Sequence, residues 1–185
     1  HGLVSLNHSL EGALSVNGRT IDFTGGKGYI EKDWGRSFPS AYVWMQSNHF
    51  MQDASLFASV ANIPWVTGSF RGFIAALLLD GKLLRFATYT GARLREVRIS
   101  SKQVWITMDD RKYQLEIEAH RSEGAVLMAP YDKTMLERVS ETMTASIHYR
   151  LSEKKGGRII HEDASNIAAL EVQGLLEQIA EVATD

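Results

Sequence analysis

Cysteine is absent from this chain of 185 residues, and proline occurs only 3 times. Without cysteine the fold has neither disulfides nor thiolate metal ligands, which suits a reducing compartment, so we expect a cytoplasmic location. The few prolines form no proline-rich linker that would separate two domains. We therefore expect one domain over residues 1–185.

Charge of one sign and long apolar runs are missing as well. The 20 Lys and Arg residues nearly balance the 22 Asp and Glu residues, and no basic run exceeds a pair such as Lys154-Lys155, which argues against a nucleic-acid partner. The longest apolar run, residues 73–79, is far shorter than the roughly 20 residues of a membrane-spanning helix. The 6 histidines are not spaced as metal ligands, so no metal site is predicted.

Most of the sequence alternates between apolar and polar residues with a period of two, as in strands with one buried face. The clearest cases are residues 112–120 and 146–151. Turn dipeptides that favour positive φ separate such runs, notably Asn17-Gly18, Asp80-Gly81 and Gly156-Gly157, with Asp109-Asp110 as a weaker example. Roughly ten to twelve short strands result, which predicts an all-β, antiparallel, up-and-down barrel or sandwich.

Two stretches carry a helical pattern instead. Residues 133–139 form one, and residues 175–182 place Leu175, Leu176, Ile179 and Val182 on one helical face. We expect the second stretch to form a short C-terminal helix that caps an open end of the barrel or sandwich.

Two neighbouring segments concentrate the residues suited to chemistry. In the first, Glu31, Lys32 and Asp33 lie inside a strand that otherwise reads as core, ahead of Trp34. In the second, residues 41–50, one face would carry Tyr42, Trp44, Gln46, Asn48 and Phe50. Rings with a few amides suit an apolar ligand pocket, although solvated charges and an ordinary aromatic core would give the same pattern.

The same segments carry a resemblance to a known family. The runs EKDWG (31–35), SFP (37–39) and WMQSNHF (44–50) resemble the signature of the tocopherol cyclases and their bacterial relatives, and weaker likeness continues through ALEV (169–172). The resemblance implies a lipocalin-like β-barrel or sandwich related to carotenoid hydratases. Members are longer, and the chain, which opens at His1, resembles their later half. We therefore expect a preceding N-terminal half that shares the ligand site.

The resemblance also implies a function. Tocopherol cyclases close a ring by protonating a prenyl double bond and adding a hydroquinone oxygen, without a cofactor. Glu31 or Asp33 would then be the acid, since a carboxyl group in an apolar cavity stays protonated near neutral pH. The expected ligand contacts are Lys32, Trp34, Trp44, Gln46 and Asn48.

The expected partner is a hydrophobic prenylated small molecule, reached by peripheral contact with a membrane. Two alternatives remain open at this point. One is a non-catalytic carrier of a hydrophobic ligand, and the other is a purely structural partner of the preceding half.

Overall fold

The structure is a computed structural model, and it describes residues 2–34, 38–131 and 134–183. Gly35 and Ser37 of the signature, and Lys133 of the first helical pattern, lie outside the described residues. The chain divides into two compact units, His1–Trp34 and Gly35–Asp185. Each unit is described by itself below.

The first unit consists of two antiparallel strand pairs. Its strands are β1 (Gly2–Ser9), β2 (Ala13–Val16), β3 (Arg19–Asp22) and β4 (Lys27–Lys32). Strand β1 pairs with β4, and β2 pairs with β3 in a hairpin. Asn17 and Gly18 turn that hairpin with φ of 50° and 76°, as the dipeptide predicted.

The second unit contains an 11-stranded sheet. Its strands are β5 (Ala41–Ser47), β6 (Ala54–Trp65), β7 (Gly68–Leu79), β8 (Lys82–Ala87), β9 (Arg93–Ile99), β10 (Gln103–Asp109), β11 (Tyr113–His120), β12 (Ala125–Tyr131), β13 (Thr134–Glu153), β14 (Ile159–Gly174) and β15 (Glu181–Val182).

Two meanders make up this sheet. The strand order is β15-β9-β10-β11-β13-β14-β5-β6-β7-β8, with β12 paired to β13, so pairing of β14 with β5 joins the meanders. All pairs are antiparallel except β15 with β9. Among the described residues β8 does not pair with β9, and the sheet is not closed into a barrel. The all-β antiparallel prediction is confirmed, whereas a lipocalin-like barrel is not.

The predicted hairpins of this unit form where the turn dipeptides lie. Asp80 and Gly81, with φ of 48° and 73°, connect β7 to β8, and Gly156 and Gly157 connect β13 to β14. Asp110 donates its backbone N–H to the Tyr113 carbonyl at 2.9 Å in the turn between β10 and β11. Local turn chemistry therefore fixed these registers.

One face of the large sheet forms the core. In the strands predicted from residues 112–120 and 146–151, the apolar positions Leu115, Ile117, Ile147 and Leu151 are buried. Leu115 lies opposite Leu151 across β11 and β13, so the two strands bury the same face. Both half-buried strands are thus confirmed.

Within the described residues, neither predicted helix forms. Residues 175–182 make one 3₁₀ turn, Leu176–Gln178, followed by β15, which pairs with the edge strand β9. Eight residues are too few for a stable isolated helix, and burial of Ile179 in the core holds the tail beside the open edge. In the other stretch β13 begins at Thr134, because this segment pairs with β12.

Candidate functional site

Strand β5 lies between β14 and β6 and is buried on both faces. Ala41, Val43 and Met45 point into the core. Tyr42, Trp44 and Gln46 alternate with them and lie on the opposite face of the sheet. We call this side of β14, β5 and β6 the second face. It consists of Ala169, Glu171, Tyr42, Trp44, Gln46, Ser55, Phe57 and Ser59.

Phe50 does not belong to the second face. Strand β5 ends at Ser47, so the alternation does not extend to this ring. Phe50 packs in the core, with its ring centroid 4.9 Å from that of Tyr149 in an edge-to-face contact. The sequence prediction that placed Phe50 beside Trp44 is therefore wrong.

Strand register places a carboxyl pair beside Trp44. Glu171 on β14 lies directly opposite Trp44 on β5 and also directly opposite Glu141 on β13. Directly opposed residues of an antiparallel pair project to the same side, with Cβ atoms about 5 Å apart. Glu141, Glu171 and Trp44 therefore form one row across three strands.

Tyr42 holds the middle carboxylate of this row. Its hydroxyl donates a hydrogen bond of 2.6 Å to Oε2 of Glu171. The ring of Phe38 packs edge-on against Tyr42 with centroids 5.9 Å apart, and only 7% of Tyr42 is exposed. Because Tyr42 is packed on its ring and bonded at its hydroxyl, it fixes the position of the Glu171 carboxylate.

Burial also affects the second carboxyl group. Desolvation raises the pKa of Glu141 above its usual value. Glu141 is therefore suited to retaining a proton at a pH where an exposed glutamate would be fully ionised.

Two buried polar atoms of the second face have no hydrogen-bond partner among the described residues. They are Nε2 of Gln46 and Oγ of Ser55, and the two residues are 9% and 0% exposed. An unsatisfied buried polar group costs about 1–3 kcal/mol, so its persistence calls for a physical reason. Phe57 lies between them, directly opposite Gln46 and two positions from Ser55 on β6.

Aromatic rings complete this face. The rings of Trp44 and Phe57 meet edge-on with centroids 6.5 Å apart, and Phe57 is fully buried. Asn48, just past the end of β5, is buried with 4% exposure. The second face thus combines the rings of Tyr42, Trp44 and Phe57 with the buried polar side chains of Gln46 and Ser55 and the carboxyl group of Glu171.

The predicted acids lie in the first unit. Glu31, on β4, is half-buried and accepts a hydrogen bond from the hydroxyl of Tyr29, which the strand alternation placed on the same side. Burial, and then the hydrogen bond to Glu31, raise the pKa of Tyr29. Lys32, the last residue of β4, is exposed. Asp33 and Trp34 follow the end of this strand and are also exposed, Trp34 by 83%.

The predicted site residues are therefore divided between the two units. Trp44, Gln46 and Asn48 belong to the second unit. Sequence reasoning missed Glu171, Glu141 and Ser55 as site residues. A signal for Glu171 was present, because this residue is a single carboxylate in the otherwise apolar run ALEV (169–172).

An open depression on the outer side of the sheet has a different character. It is lined mainly by charged residues of β9, β10, β11 and β13, among them Arg98, His148 and Arg150. The Arg98 guanidinium lies 4.9 Å from the Trp105 ring centroid, and His148 and Arg150 contact Glu162 at 2.8 and 2.9 Å. These contacts explain the depression as an ion-paired surface. Within the described residues no three His, Asp or Glu side chains form a metal-ligand group.

Comparison with known proteins identifies the family. The model of the family described as "Tocopherol cyclase-like" matches residues 2–174. A probable chloroplastic tocopherol cyclase of Oryza sativa subsp. japonica is 26% identical over 180 residues, which cover 88% of this chain and 37% of that protein. The chloroplastic tocopherol cyclase of Zea mays is 27% identical over 175 residues, covering 88% and 36%.

The chain thus spans less than two-fifths of the length of these relatives. Among solved structures, kievitone hydratase from Nectria haematococca matches with a TM-score of 0.42 and 10% identity, over 89% of this chain and 49% of that one. No helix of the described residues is long and apolar enough to cross a bilayer. The match of the family model over nearly the whole chain confirms the resemblance found in the sequence, and the chain belongs to the tocopherol cyclase-like family.

Proposed function

We propose that this chain binds a hydrophobic prenylated small molecule and takes part in the acid-catalysed cyclisation or hydration of its prenyl double bond. Family membership supports a reaction of this class. The reaction needs one protonated acid, an apolar surface for the prenyl chain, and polar groups that orient the phenol or the water.

One observation carries the proposal, namely the unpartnered polar atoms of Gln46 and Ser55 beside the rings of Trp44 and Phe57. Rings supply apolar contact area, and a buried amide or hydroxyl without a partner is ready to bind a ligand oxygen. Asn48, which is buried just past the end of β5, is a further candidate contact for the ligand.

Besides its apolar contact area, Trp44 supplies a ring that can stabilise a carbocation. Protonation of the double bond produces a tertiary carbocation, and the face of an indole ring attracts a cation by about 1–2 kcal/mol when both are desolvated. The phenol oxygen, or a water molecule, then captures the cation. Trp34, which is 83% exposed in the first unit, would act in the same way only where bound substrate covers its ring.

Glu31 and Asp33 are the acids to which the sequence points. Glu31 has the stronger physical case of the two, since it is half-buried and bonded to the Tyr29 hydroxyl. Lys32 would orient a ligand oxygen or pair with one of these carboxylates.

Peripheral contact with a membrane would bring such a substrate to the protein. The β6–β7 hairpin offers an apolar tip, where Trp65, Val66 and Phe70 are 68%, 92% and 40% exposed. Tryptophan favours the interface between lipid and water because its ring is apolar and its N–H is polar.

Incubation with geranylhydroquinone, kept reduced by ascorbate, tests the function. Mass spectrometry should detect an isomer of unchanged mass or a water adduct. Trp44→Leu keeps an apolar side chain but removes the ring, so turnover should fall about tenfold while the ligand still binds. Binding without either product would favour the carrier alternative, and absence of both binding and product would overturn the proposal.

A further inference from the structure

In the row Glu141–Glu171–Trp44, neighbouring side chains hold the Glu171 carboxyl group in place. Glu171 was not among the acids predicted from the sequence. We propose that Glu171 is the proton donor to the prenyl double bond, with Gln46 and Ser55 binding the phenol oxygen. This inference rests on the proposed function and assigns its acid to the second unit.

Position is the first argument. Glu171 lies directly opposite Trp44, so a double bond stacked on the indole ring lies beside the carboxyl group. Gln46 lies two residues beyond Trp44 on β5, and the rise of a strand separates the two residues by about 7 Å. That distance fits a prenyl double bond and the phenol ring to which its chain is attached.

The unpartnered atoms are the second, independent argument. A carboxyl pair alone would be explained by a solvated sheet surface. The Gln46 side chain, however, is more than nine-tenths buried, and its Nε2 has no partner on the same face.

Electrostatics is the third argument. Two titratable side chains lie beside Glu171, namely Tyr42 on β5 and, by register, Glu141 on β13. The two act in opposite directions. A nearby carboxyl group favours a protonated Glu171, whereas the hydrogen bond from the Tyr42 hydroxyl favours the carboxylate.

The step is balanced without a co-reactant. The O–H bond of the Glu171 carboxylic acid breaks as a C–H bond forms at the less substituted alkene carbon. The phenol oxygen then bonds to the tertiary cation, and its proton returns to the Glu171 carboxylate. In hydration, a solvent water replaces the phenol and loses its proton in the same way.

Glu171→Gln is the first test, since a glutamine still accepts the Tyr42 hydrogen bond. With geranylhydroquinone, turnover should fall by about 10²- to 10⁴-fold, the usual contribution of a general acid. In D₂O the wild-type product should carry one deuterium at the protonated carbon. Glu123→Gln, an exposed loop carboxylate, is the matched control and should keep wild-type turnover.

The pH profile separates catalysis from a merely structural role. Turnover requires protonated Glu171, so it is present at low pH and is lost as the pH rises through the pKa of this group. Glu141→Gln removes the like charge and should move that loss to lower pH. Tyr42→Phe removes the bond to the carboxylate and should move it to higher pH.

The outcomes distinguish this inference from the proposed function. Wild-type turnover that survives Glu171→Gln, but is lost in Glu31→Gln or Asp33→Asn, overturns the inference and leaves the function standing. If Glu141→Gln and Tyr42→Phe shift the pH profile of turnover in the same direction, the inference is also overturned. If the wild type gives no turnover, the proposed function fails and this inference fails with it.

Discussion

Asp109, at the end of β10, is a buried carboxylate that stabilises the fold without any part in the proposed chemistry. Arg95 donates to its Oδ2 at 2.7 Å, and Lys154 lies 3.0 Å from the same atom. Burial alone would raise the pKa of this carboxyl, but the hydrogen bonds and charges of Arg95 and Lys154 outweigh burial and lower it. Ion pairing thus keeps Asp109 charged.

Asp109→Asn should therefore reduce the free energy of unfolding in a pH-dependent way. The loss should be on the order of 1 kcal/mol, because both cationic side chains are about two-fifths exposed and solvent screens the pairs. Because the pKa of Asp109 is lower in the folded than in the unfolded chain, its ionisation stabilises the fold at a pH above the unfolded-state pKa of about 4. This stabilisation is lost as the pH falls through the folded-state pKa.

Urea unfolding at several pH values measures the effect. The difference in free energy of unfolding between wild type and Asp109→Asn should be largest near neutral pH and should shrink as the pH falls below about 4. Glu96→Gln breaks an exposed pair with Arg98 and is the control, expected to show almost no change. A difference independent of pH would contradict the ion-pair explanation.

Elements were predictable from the sequence where local chemistry determines them. Asn17-Gly18 and Asp80-Gly81 force positive φ, and the alternation around Leu115 and Ile147 specifies which face is buried. Residues 175–182 carry an equally regular helical pattern, yet they form a 3₁₀ turn and an edge strand. Their partner, β9, is about 80 residues earlier in the chain, and such pairing leaves no local signal.

The site was only partly predictable for the same reason. Alternation correctly grouped Tyr42, Trp44 and Gln46, because these residues belong to one strand. Glu171 and Glu141 join them only through the register of β5, β14 and β13. Phe50 was misplaced because β5 ends before it, and the position of a strand end is not fixed by alternation.

The β6–β7 hairpin carries a prediction at the scale of an element. If its tip contacts lipid, replacing Trp65 and Val66 with serine should reduce co-sedimentation with phosphatidylcholine vesicles at least severalfold, because the burial of two large apolar side chains is lost. Ile159→Ser is the control, since Ile159 is 52% exposed at a different hairpin. Equal binding of both variants and the wild type would exclude the tip as the contact.

At the scale of the whole molecule, the hydrophobic core formed by the described residues lies in the second unit. Every member of the core cluster, from Ala41 to Ile179, follows Trp34. The strand pairs of the first unit are β1 with β4 and β2 with β3, so none of its strands adds to the large sheet. Since burial of apolar surface is the main stabilising term, the second unit contains what it needs to fold.

Deletion of residues 1–34 should therefore leave a chain that unfolds cooperatively. The far-ultraviolet circular dichroism spectrum should keep its β character, and thermal unfolding should remain a single transition. Met45→Ala is the comparison, because Met45 is fully buried in the core and its truncation should cost about 2–5 kcal/mol in the shortened and the complete chain alike. A shortened chain without a cooperative transition, or one insensitive to Met45→Ala, would show that the first 34 residues are needed to form the core.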